Sequence, residues 1–123
     1  MIEGAVLLDK RLGLSPNAAL QKAKKLLGAA KAGHTGTLDP LASGLLLVLF
    51  GEATKFAGPL LDADKQYVAT LKLGERTSTG DAEGEVLQAR RVDISGLDGV
   101  LKRFRGEIDQ VPPMHSALKF EGK

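Results

Sequence analysis

Gly33-His34-Thr35-Gly36-Thr37-Leu38-Asp39-Pro40-Leu41-Ala42-Ser43-Gly44 runs directly into Leu45-Leu46-Leu47-Val48-Leu49-Phe50. Three glycines and a proline in the first twelve residues break any regular helix or strand, so this part reads as a loop. The apolar run that follows is short and bounded by Gly44 and Gly51, the pattern of a buried central strand. A loop that carries a histidine and an aspartate is therefore anchored on a stiff element. Asp39 stands immediately before Pro40, and the proline ring keeps it out of the helical region and fixes its backbone. A carboxylate held in such a turn can serve as a nucleophile or general base, or can simply bond its own backbone.

Outward from this stretch the elements alternate. Val6-Leu7-Leu8 reads as a strand that ends in the polar turn 9–13. Ser15 before Pro16 pairs an N-cap with a first helical residue, Leu20, Ala23 and Leu27 recur at helical spacing, and Gly28 stops the turn. That predicts an amphipathic helix over 15–27, with Lys22 and Lys25 off its apolar stripe. A helix is expected over 52–61, bent or ended early by Gly58-Pro59. Alternation from Tyr67 to Leu73 predicts a strand, 75–84 a surface loop, and 85–92 a second strand. Ser95 is expected to cap a helix carrying Leu97, Val100, Leu101 and Phe104, and the tail from Glu107 to Phe120 to be extended. Strands and helices mix without a βαβ rhythm, which gives an α+β fold with a mostly antiparallel sheet.

Composition narrows the function classes. The 123 residues fit one domain, with 43% hydrophobic and 26% charged residues. There is no cysteine and there are only two histidines, His34 and His115, so thiolate metal sites and disulfides are excluded and a zinc site is disfavoured. The apolar run 45–50 is far too short to cross a bilayer, and the opening Met1-Ile2-Glu3-Gly4 lacks the basic start and apolar stretch of a signal peptide. A soluble cytoplasmic protein is the expectation. Net charge is only +2, yet residues 5–38 hold six basic side chains (Lys10, Arg11, Lys22, Lys24, Lys25, Lys31) against one acid, Asp9. Such an excess attracts a polyanion, or covers a solvated helix face.

Two other side chains are candidates. His34 can stack on a base, donate to a phosphate or shuttle a proton, and equally can be an ordinary loop histidine. Tyr67, the single tyrosine, can offer an aromatic platform to an unpaired base or fill a core. The glycines at 33, 36 and 44 match neither GxGxxG nor GxxxxGK[ST], and Ser43 lacks a nucleophile-elbow setting.

Taken together, 33–44 and the following Gly51-Glu52-Ala53-Thr54-Lys55 resemble the signature of the TruB family, the tRNA pseudouridine-55 synthases. Leu7-Leu8-Asp9-Lys10, Asp64-Lys65-Gln66-Tyr67 and Pro112-Pro113-Met114-His115-Ser116-Ala117-Leu118-Lys119 agree in order and spacing. The resemblance implies the pseudouridine synthase fold, a mixed but largely antiparallel sheet flanked by helices. It makes Asp39 the catalytic nucleophile, with His34, Tyr67, Lys10 and Lys55 on the RNA. It implies isomerisation of a uridine in the tRNA T-arm by base flipping, with no cofactor, metal or membrane, in an enzyme that is monomeric at full length.

Two residues depart from the family pattern: Arg11 stands in place of proline and His115 in place of tyrosine. Family members are also more than twice as long. Their second half supplies an arginine that pairs with the aspartate, and a small C-terminal RNA-binding domain often follows. Residues 1–123 are thus expected to be the N-terminal portion of a catalytic domain, inactive alone. A non-catalytic RNA-binding or RNA-folding module on the same scaffold is the alternative, and a small hydrolase using His34 and Asp39 a weaker one.

Overall fold

The computed structural model describes residues 1–114. His115 and residues 116–119 of the last motif block lie outside them. The chain divides after Tyr67 into two units. The order in the first is β1 (Gly4–Lys10), α1 (Pro16–Leu27), β2 (Ala32–Thr35), β3 (Gly44–Phe50), a 3₁₀ turn (Gly51–Phe56) and α2 (Ala57–Leu61). The second has β4 (Glu75–Thr77), β5 (Val86–Ala89) and α3 (Leu97–Lys102).

The apolar run 45–50 is the centre of the first unit, as its composition predicts. β3 lies between β1 and β2 and is antiparallel to both, in the order β1-β3-β2. Residues directly opposite one another share a face, so Val6, Val48 and His34 fall on one side and Leu7, Leu47 and Thr35 on the other. The first side is the core. Leu46, Val48 and Phe50 are buried there with Ala19, Leu20 and Ala29, and Val6, Leu8, Ala23 and Ala32 pack around them. On the other side Leu7 stays 73% exposed and Leu45 67%.

Helix α1 begins and ends where its punctuation says. The Ser15 hydroxyl accepts from the Ala18 amide at 3.1 Å, a cap worth about 1 kcal/mol. Gly28 takes φ 62°, and Lys24 and Lys25 in the last turn face the negative end of the helix dipole. Residues 52–61 are helical but not uniform: the first stretch is 3₁₀, and Pro59 is accommodated in the first turn of α2, where an amide lacks an intrahelical partner anyway.

Several expectations change. Residues 33–35 belong to β2 rather than to the loop, because the ladder to β3 overrides the low strand preference of glycine. No strand forms over 67–73, and Val68 and Leu71 are both exposed. A strand takes its hydrogen bonds from a neighbour, and among the described residues none runs beside this segment. The segment 75–84 is part hairpin, since β4 pairs antiparallel with β5. Ser95 does not cap α3. Its amide donates to the Asp93 carboxylate at 2.9 Å, and Gly96 takes the N-cap position. No described residue of the second unit is buried. Among the described residues, no helix is long and apolar enough to cross a membrane.

Candidate functional site

The loop between β2 and β3 is held at both ends. Where β2 stops, His34 Nδ1 donates to the Gly36 carbonyl at 2.7 Å. A carbonyl only accepts, so Nδ1 carries the hydrogen and, in the neutral ring, Nε2 remains an acceptor. Gly36 itself sits at φ 106°, a conformation that glycine adopts without strain. The next turn closes when the Ala42 amide donates to the Asp39 carbonyl at 2.9 Å. The adjoining Pro40 carbonyl accepts from the Gly13 amide at 2.7 Å, which ties the loop to the turn after β1.

Lys10 completes that tie, and it corrects the expectation of an RNA contact. The side chain is 1% exposed. Its ammonium donates to the carbonyls of Arg11 at 3.0 Å, Leu14 at 2.7 Å and Ala42 at 2.6 Å. All three donors of a lysine are thereby used inside the protein. The signal was present in the sequence: Val6, Leu8 and Lys10 share one strand phase, and that phase is the buried one.

Asp39 is exposed on this braced loop. The two described ion pairs, Lys55 with Glu52 and Lys72 with Glu75, do not include it. Directly before it, Leu38 turns its side chain inward, 8% exposed. Leu38 lines a recess of about 350 Å³ together with Thr35, Thr37, Leu47, Lys65 and Tyr67. That volume suits a small organic group such as a nucleobase. Tyr67 is 63% exposed, with most of its ring available to a partner.

The recess lies on the sheet side of Thr35 and Leu47. His34 belongs by strand alternation to the opposite side, beside Val48. The structure thus brings Tyr67 to the recess, Asp39 follows the lining residue Leu38 in the chain without lining the recess itself, and His34 shapes the turn at Gly36. Lys55 stands apart on the 3₁₀ turn, its side chain 68% exposed beside Glu52. Asp64, Lys65 and Gln66 also line the recess, and the sequence marked them only as parts of a motif block.

Comparison with known proteins converges on one family. Residues 24–123 match the model of the TruB family pseudouridylate synthase N-terminal domain. The chain is 65% identical over 124 residues to a tRNA pseudouridine synthase B of Cupriavidus pinatubonensis, which covers 99% of this chain and 39% of that protein. It is 61% identical over 125 residues to the synthase of the same description from Azoarcus sp. strain BH72, covering 100% of this chain and 42% of the other. Among solved structures it resembles a chain of a Cbf5–Nop10–Gar1 complex, with TM-score 0.61 and 31% identity over 94% of this chain and 31% of that one. The chain thus spans about two-fifths of the length of the curated relatives it matches.

Proposed function

Since the chain belongs to the TruB family of pseudouridylate synthases, we propose that it carries the nucleophile and the base recess for conversion of a T-arm uridine of tRNA to pseudouridine. The observation that supports this reading most is the braced loop, which carries the exposed Asp39 one residue after Leu38, a lining residue of the recess that Tyr67 also lines.

The reaction needs little else. The N1–C1′ bond of uridine breaks, the base turns over, and C5 bonds to C1′; C5 then gives up its proton and N1 takes one up, so the product is an isomer of the substrate. Nothing is added to the substrate, so one nucleophile and one pocket that retains the loose base account for the chemistry. Asp39 attacks the sugar C1′ or the base C6, or removes the C2′ proton to give a glycal, and in each case the loop presents the carboxylate ready placed. Within a folded stem-loop the uridine must first swing out, at a cost of a few kcal/mol. Tyr67 offers the extruded base a stacking face. Lys55, on the 3₁₀ turn, and His34, on the opposite side of the sheet, are assigned to RNA outside the recess, and the lysines of α1 add phosphate attraction that reads no sequence.

Asp39→Asn, in a protein of the relatives' full length, tests the reading. Pseudouridine formation on a T-arm transcript should vanish, while tRNA affinity stays within about tenfold because phosphate contacts dominate it. Carbodiimide mapping follows the first quantity and filter retention the second. Turnover by the variant, or modification of a transcript whose T-arm uridine is replaced by cytidine, would remove the assignment.

A further inference from the structure

We propose that Lys65 is a positioning residue that sets Tyr67 over the recess, an inference that takes the role of Tyr67 from the reading above. Residues 64–70 have no regular structure, and Tyr67 itself is 63% exposed. Neither a ladder nor deep packing therefore holds the ring where the recess needs it. The nearest anchor is two residues away.

Helix α2 is only five residues long, and the carbonyls at and beyond its end lack intrahelical partners. Lys65 folds back over that end. Its ammonium donates to the Leu61 carbonyl at 2.5 Å and to the Ala63 carbonyl at 3.0 Å, the way a basic side chain commonly closes a helix terminus. Its stem crosses the turn at Gly36, close enough that a Cβ on Gly36 would lie 3.6 Å from the lysine Cε. The Gly36 carbonyl is in turn held by His34. One side chain thus joins the end of α2, the turn that starts the Asp39 loop, and the strand-less segment that carries Tyr67. Two of its three donors are taken up by the Leu61 and Ala63 carbonyls.

Tyr67 is the single tyrosine and there is no tryptophan, so intrinsic fluorescence of the 123-residue chain reports this ring alone. Lys65→Met should lower its anisotropy and steepen acrylamide quenching. Lys65→Arg, which can still donate to two carbonyls, should stay near the parent chain. In a protein of the relatives' length, Lys65→Met should lower kcat by roughly tenfold to a hundredfold, the usual cost of a misplaced group, with KM for tRNA little changed. The arginine variant should restore most of the rate. Unchanged anisotropy and quenching in Lys65→Met would overturn the proposal, as would a rise in KM at constant kcat, which marks a direct RNA contact. If the parent protein makes no pseudouridine yet fluorescence behaves as stated, the positioning role stands and the proposed function falls.

Discussion

Replacing Lys10 by methionine tests whether the loop is braced as described. Methionine keeps the length and apolar character of the lysine stem, so packing changes little; what goes is an ammonium serving three carbonyls. Hydrogen bonds to a charged group contribute about 1.5–3 kcal/mol each, which puts the gross loss above ~4 kcal/mol. Two effects offset part of it. The variant no longer buries a charge, and the Arg11 carbonyl belongs to an exposed residue that water can reach. A net destabilisation of about 3 kcal/mol remains, on the order of 15 °C in Tm for a unit of this size. Far-UV circular dichroism on heating measures it. Hydrogen exchange supplies the local signature: the Gly13 and Ala42 amides, bonded to Pro40 and Asp39, should exchange faster, while amides in the middle of β3 follow only the global loss. A change in Tm below about 3 °C, with Gly13 and Ala42 still protected, would show that Lys10 fills space and braces nothing.

Three further outcomes follow from single contacts. Gly51→Ala should destabilise the first unit by roughly 2–4 kcal/mol, read by urea denaturation, because φ is 59° there and a Cβ would lie 2.8 Å from Glu3 Cγ and 2.9 Å from the Ile2 carbonyl. The Asp93 carboxyl is held below its ordinary value by hydrogen bonds from the Ser95 amide and then the Ser95 hydroxyl, so what the ionised group contributes is present above the ordinary carboxylate pKa and lost as pH falls through the lowered one. An NMR titration should find Asp93 below the ordinary aspartate value, with Ser95→Ala moving it only part of the way back, since the larger contribution comes from the backbone. In a protein of the relatives' length, Tyr67→Phe should keep most of the stacking and Tyr67→Ala should lose on the order of 1–3 kcal/mol of base contact, measured as affinity for a T-arm RNA carrying an extruded uridine.

What could be read from the sequence was what local chemistry decides. Ser15-Pro16 and Gly28 mark the ends of α1 because caps and left-handed glycines act within one turn. The run 45–50 announces β3 because a short, continuous apolar run between two glycines is the length of a strand and needs neighbours to cover it. Asp39 is conspicuous because proline restricts it wherever the rest of the chain goes. The misreadings share a different cause, dependence on a distant partner. Glycine at 33 argues against a strand until β3 is beside it, and alternation over 67–73 argues for one that no described neighbour pairs. Lys10 is the most instructive of them. Its positive charge suggests phosphate, whereas its phase with Val6 and Leu8 places it in the buried row, and phase wins because three carbonyls meet it there. A basic residue in an alternating strand is therefore better assigned by its register than by its charge. On the same ground the exposed lysines of α1, which lie off an apolar stripe, are the ones to test for salt-dependent RNA affinity.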